Sequence, residues 1–88
     1  MKLIVAIVKD IDADNVTSTL TAANFRVTTI ASTSGFIRRG LNTMLCGVED
    51  DQVTKAIEVI RGCYPPAETT EEKRCTIFVL NVGEYIHF

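Results

Sequence analysis

The stretch FRVTTIASTSGFIRRGLNTMLCGV, Phe25–Val48, decides the fold. Its first part, FRVTTIAS, alternates. Phe25, Val27, Thr29 and Ala31 share one face, and Arg26, Thr28 and Ile30 share the other, the period of a β-strand. Its last part, TMLCGV, reads as a buried strand. Between them, Ser32–Thr43 carries Phe36, two glycines and the pair Arg38–Arg39. A plain hairpin would need only roughly two to five residues there. Two strands therefore follow one another, joined by a loop longer and more charged than the turn requires.

Outward from that stretch the period changes on both sides. Upstream, DIDADNVTSTLTAAN places Ala13, Val16, Leu20 and Ala23 at helical spacing, with Asp10 or Asp12 available to cap the first turn. Thr17, Thr19 and Thr21 lower the intrinsic helix propensity, so packing of the apolar stripe has to hold this helix. Before it, KLIVAIV lacks polar alternation. That suits a central strand covered on both faces, or on one face and at an interface. Downstream, EDDQVTKAIEVIRG is the clearest helix in the chain. Asp50 is the expected N-cap, Val53, Ala56, Ile57 and Ile60 form the core stripe, and Gly62 stands at the C-terminal cap. CYPPAETTEEKR (63–74) is a loop interrupted by Pro65–Pro66, CTIFVLNV (75–82) is the last strand, and GEYIHF is a short tail.

The order β-α-β-β-α-β predicts an α+β, ferredoxin-like sandwich: a four-stranded antiparallel sheet with two helices on one face, in one domain spanning 1–88. Two helices cover one side of such a sheet. The other side would expose residues from Leu3–Val8, Met44–Val48 and Ile77–Leu80, an apolar area that predicts self-association.

Composition narrows the function classes. The chain has 88 residues, 47% hydrophobic and 23% charged, with a net charge of −2. That is a globular profile without the basic field that draws a protein to nucleic acid or an anionic membrane. The longest apolar run, Leu3–Val8, is too short to span a bilayer and has no small-residue cleavage site after it. Three cysteines, Cys46, Cys63 and Cys75, without CxxC spacing point to a reduced, cytoplasmic protein. A metal or disulfide role for Cys63 and Cys75, with His87, is the minor alternative to free thiols. No P-loop, GxSxG or credible carboxylate pair is present, so no catalytic residue, metal site or resident cofactor is assigned.

MKLIVAIVKD, NFRVTTIASTSGF, NTMLCGVEDDQV and TIFVLNV resemble, almost in register, the PII-like cyclic-di-AMP receptor proteins. The likeness covers roughly residues 1–60 and 75–88, and NFR-T followed by GF is its most specific part. The resemblance implies a ferredoxin-like homotrimer with ligand sites in clefts between subunits, a receptor and not an enzyme, whose ligand repositions loops read by an unknown downstream protein partner. It implies ligand contacts at Asn24, Arg26, Thr28, Gly35, Phe36, Ile37 and Gly47, with Phe78 supplied by the neighbouring subunit. The spacing of Asn24, Arg26 and Thr28 would present all three on one strand face.

The chemistry fits a cyclic dinucleotide. Arg26 offers a charge-assisted, bidentate contact to phosphate. Gly35 lets backbone N–H groups approach the ligand. Phe36 offers a stacking face, and Asn24 a donor and an acceptor for an adenine edge. Each residue also has a plainer use: Arg26 as a solvated charge, Phe36 as a loop anchor, Arg38–Arg39 as solubilising charge, and Gly35, Gly40 and Gly47 as turn or bulge geometry.

Three positions depart from the family pattern. Leu41 stands where an asparagine usually follows the second loop glycine, with Asn42 one place later and so on the opposite strand face. His87 replaces a glutamine, and Cys63–Arg74 replaces a long Gly/Pro-rich excursion. These departures motivate the alternative expectation, a PII-like protein-interaction scaffold that has lost cyclic di-AMP or takes another nucleotide.

Overall fold

A computed structural model describes residues 1–30, 40–64 and 75–86. The elements are β1 (Lys2–Lys9), α1 (Asp10–Ala22), β2 (Thr28–Ile30), β3 (Leu41–Val48), a 3-10 turn (Asp50–Gln52), α2 (Val53–Arg61) and β4 (Cys75–Asn81). The strands form a single sheet in the order β2-β3-β1-β4, and every pairing is antiparallel. This is the ferredoxin-like arrangement expected from the element order. No described helix is long and apolar enough to cross a membrane.

β1 sits centrally because it is apolar on both faces. Ile4, Ala6 and Val8 are buried, and the register sets Ile4 against Cys46 and Ala6 against Met44. Onto this face α1 packs Ala13, Val16 and Leu20, and α2 packs Ala56 and Ile60. Each fully buried aliphatic side chain is worth about 1.5–3 kcal/mol, which offsets the threonine-rich composition of α1. The intervening residues Leu3, Val5 and Ile7, with Leu45 of β3, lie on the other face, which neither helix covers. At its borders Phe78 is 51% exposed, Leu80 49% and Ile30 47%. The uncovered apolar face therefore exists, but Met44, Cys46 and Val48 turn inward to the helices and do not contribute to it.

The helix ends differ from the sequence expectation. β1 runs into α1 without a loop, so Lys9 occupies the N-cap and neither Asp10 nor Asp12 caps through its side chain. The Asp10 amide donates to the Gly40 carbonyl at 2.8 Å, and the two carboxylates sit in the first turn, where the helix dipole favours them. Asp50 likewise caps nothing by its side chain: Glu49 precedes the 3-10 turn and Gln52 precedes α2. The Asp50 carboxylate instead pairs with the N-terminal ammonium of Met1 at 2.9 Å. The ammonium's hydrogen bond, then its charge, hold that carboxyl below its ordinary value, with Lys2 assisting and slight desolvation opposing. Gly62 is the C-cap of α2, as its position suggests, but with φ −66° it is right-handed.

The left-handed exit belongs to α1. Asn24 has φ 69°, its N–H donates to the Thr21 carbonyl at 3.0 Å, and the Phe25 N–H reaches the Leu20 carbonyl at 3.0 Å. These two bonds are a Schellman motif, with Leu20 and Phe25 as the accompanying apolar pair. Asn24 is thus a helix terminator, and the extended ladder expected over 25–32 is paired only from Thr28 to Ile30 among the described residues. Phe25 and Val27 still pack against the core, as their alternation indicated.

Two predictions come from this packing. Replacing Asn24 with glycine should leave stability nearly unchanged, because glycine accepts φ > 0, whereas Asn24→Val should cost about 1–2 kcal/mol in chemical denaturation. The second concerns Cys75, whose thiol is pushed up to about 11 by burial first, then by Cys63 and Asp12. Because the folded state holds the thiol proton more tightly than the unfolded chain, the stability it confers is complete below pH 9 and is lost as pH rises toward 11. Cys75→Val should flatten the fall in denaturation midpoint across that alkaline window.

Candidate functional site

The Schellman turn sends the chain from the top of α1 straight along the edge of the sheet. There Asn24, Phe25 and Arg26 pass beside Gly47 and Val48 at the end of β3 and beside Met1 at the start of β1. Gly47 lies opposite Leu3 in the ladder, and a Cβ built there would stand 3.2 Å from the Met1 methyl carbon. The absence of a side chain at Gly47 keeps this corner of the sheet open.

Two cavities meet at the corner. One, of about 400 Å³, lies towards the helices and is lined by Asn24, Arg26, Gly47, Glu49, Gln52 and Lys55, among others. The other, of about 520 Å³, lies on the uncovered face and is lined by Leu3, Arg26, Thr28, Leu45, Val82 and Tyr85, among others. Met1, Arg26 and Gly47 belong to both. Arg26 is therefore the side chain placed to serve either compartment. The Val82 N–H donates to the Met1 carbonyl at 3.2 Å, one rung beyond the β1–β4 ladder, and the chain that follows brings Tyr85 to the second cavity.

The structure brings Asn24, Arg26, Thr28 and Gly47 together, though not as one strand face. Asn24 lines the helix-side cavity, Thr28 the open-face cavity, and the left-handed residue between helix and strand is the reason. Gly35, Phe36 and Ile37 lie outside the described residues. Phe78 is not at this corner. It shares the row Thr28–Leu45–Val5–Phe78 across the open face, and three strand spacings put it about 14 Å from Thr28. Within one chain it reaches neither cavity.

The asparagine displaced by one position behaves as strand geometry demands. Asn42 pairs with Val8 and so belongs to the helix side, where its Oδ1 is buried without a hydrogen-bond partner among the described residues. Leu41 pairs with Lys9 on the other face. His87 lies outside the described residues, as does most of the 63–74 loop. Cys46, Cys63 and Cys75 are free thiols. Burial pushes the Cys46 thiol up, so it does not behave as a ready nucleophile. Among the described residues, no group of three or more His, Cys, Asp or Glu could hold a metal ion.

Gln52, Lys55 and Tyr85 are among the lining residues that the sequence reading did not single out. Gln52 and Lys55 were accessible to it: three positions apart at the start of the helical segment, they lie on neighbouring sides of it. Nothing in the local sequence around Tyr85 indicates that the tail reaches the second cavity.

Comparison with known proteins agrees with this fold. A solved structure from Pediococcus pentosaceus ATCC 25745, described as a functionally unknown protein, superposes with a TM-score of 0.76 at 28% sequence identity, over 99% of this chain and 96% of that one. The family model of the cyclic-di-AMP receptors matches residues 1–65, which contain β1 through α2 and every described lining residue except Val82 and Tyr85. The chain belongs to the cyclic-di-AMP receptor family.

Proposed function

We propose that this chain is a PII-like signal-transduction protein that binds cyclic di-AMP in clefts between the subunits of a cytoplasmic homotrimer, each subunit being one domain of residues 1–88. The observation that carries the reading is the convergence of Asn24, Arg26, Thr28 and Gly47 on two adjoining cavities at the border of an uncovered apolar sheet face. Arg26 meets a phosphate, the Asn24 amide reads an adenine edge, and Thr28 supplies a hydroxyl on the open-face side. The family resemblance adds Gly35, Phe36 and Ile37 as ligand contacts, with Phe36 offering a stacking face to a base.

The uncovered face supports the assembly. Leu3, Val5, Leu45 and the half-exposed Phe78 and Leu80 make an apolar surface that a lone subunit would leave in water. Packing that face against neighbours stabilises the trimer and carries Phe78 of one subunit to the cleft of the next, the reach it lacks inside its own chain. The family is one of receptors, and the function is ligand sensing read out by a downstream protein partner, with no chemical step.

A second reading is favoured by one observation: Leu41 places no amide on the open face, and Asn42 turns to the helix side. A cleft without that amide fits a scaffold that has lost the dinucleotide or takes a different nucleotide.

Calorimetric titration of the purified chain with cyclic di-AMP, with ATP, AMP and cyclic di-GMP as controls, separates the two. Selective saturation near one ligand per subunit is expected, with Arg26→Ala abolishing it while light scattering still returns a trimer. Asn24→Gly, which keeps the helix exit, should weaken binding at unchanged stability. Tight binding by Arg26→Ala would remove it from the site. Silence towards every nucleotide would establish the scaffold reading, and a monomer in light scattering would overturn the assembly.

A further inference from the structure

We propose that Lys55 is a second anion anchor of the ligand site, holding one phosphate of the bound dinucleotide in the helix-side cavity while Arg26 holds the other. The inference rests on the cyclic-dinucleotide reading above and adds to it a residue, a compartment and a charge requirement.

The cavity of about 400 Å³ is walled by the exit of α1, the end of β3 and the beginning of α2. Two cations face it from separate elements, Arg26 before β2 and Lys55 in the first turn of α2. Among the described residues neither has an ion-pair partner. The nearby carboxylates do not supply one. Asp50 is occupied by the Met1 ammonium at 2.9 Å, and Glu49, which lines the same cavity, is not within ion-pair distance of Lys55. The exposed basic residue elsewhere on α2 behaves differently: Arg61 is paired with Glu58 at 3.2 Å.

Two cations facing one cavity, opposed there only by Glu49, repel each other, and anionic groups entering the cavity offset that repulsion and gain a charge-assisted contact to each cation. The amides of Asn24 and Gln52 line the same space and provide neutral donors beside the charges. A single phosphate monoester would need only one of the two cations. A cyclic dinucleotide carries two phosphodiester anions, one for each of the two cations that line the cavity. Lysine suits the role as a compact, mobile point charge, with Arg26 as the directional fork.

The test is calorimetric titration of the full chain with cyclic di-AMP at two salt concentrations, using wild type, Lys55→Gln, Lys55→Arg and Arg61→Gln. Lys55 is exposed, so its variants should unfold at the wild-type temperature. Lys55→Gln is expected to weaken binding by about tenfold or more at low salt and to flatten the salt dependence. Lys55→Arg should bind as wild type, and Arg61→Gln, outside the cavity, should change neither quantity. Lys55→Gln binding with wild-type affinity and salt dependence, while Arg26→Ala fails to bind, would overturn the anchor and leave the receptor reading intact. Equal weakening by Lys55→Gln and Arg61→Gln would also overturn it, as a general charge effect. A wild type that takes up no cyclic di-AMP would bring down both the receptor reading and the anchor.

Discussion

β1 is apolar on both sides, and that constraint organises everything else. Ile4, Ala6 and Val8 need the helices, and Leu3, Val5 and Ile7 need something the single chain does not provide. With β3 on one side and β4 on the other, β1 cannot be an edge, so the two helices are confined to one layer and a full sheet face is left over. A sheet apolar on both faces with helices on one side only is a half-finished sandwich. The ligand corner lies on the border of this unfinished face, which ties the proposed site to the proposed assembly through one strand.

The second organising device is the way α1 ends. A helix that stopped in an ordinary right-handed cap would carry the chain away from β3. The left-handed Asn24 reverses it within two residues and lays Arg26 beside Gly47. The same asparagine side chain that tolerates φ > 0 faces the cavity, so terminator and candidate ligand contact coincide in one residue. Separating the two roles calls for glycine at this position, which accepts the left-handed backbone and removes the amide without adding a charge.

Legibility followed the strength of the local signal. The order of elements was readable because the strands are runs of aliphatic residues and α2 has a sharply one-sided stripe, Val53, Ala56, Ile57 and Ile60, all of which pack on or in the core. Capping was misread at both helix starts for a common reason. Asp10 and Asp50 have the right side chains, but Asp10 follows a strand without a loop and Asp50 is claimed by the N-terminal ammonium, and neither circumstance is local. The face shared by Asn24, Arg26 and Thr28 was inferred from period two, which holds only where the backbone is extended; one left-handed residue broke it. Lys55 and Tyr85 reach the site by tertiary routes, α2 starting beside the exit of α1 and the end of β3 and the tail reaching the open face, which no pattern in a single segment encodes.

A chain with net charge −2 can still offer a cationic cavity, because the sign of a cavity is set by the charges that line it and not by the total. Asp10 and Asp12 begin α1 at one end of the eight-residue strand β1, and the ligand corner lies at the other. At roughly 3.3 Å per residue the strand keeps these carboxylates about 25 Å away, several times the Debye length of about 8 Å at physiological salt. They are screened from the cavity. Asp50, which is close, is neutralised by the Met1 ammonium, so Arg26 and Lys55 outnumber Glu49 among the charged lining residues of the helix-side compartment. The sign of the global charge therefore says nothing about the ligand. The local balance, one net positive charge in a concave wall, favours an anion, and it depends on Asp50 remaining paired.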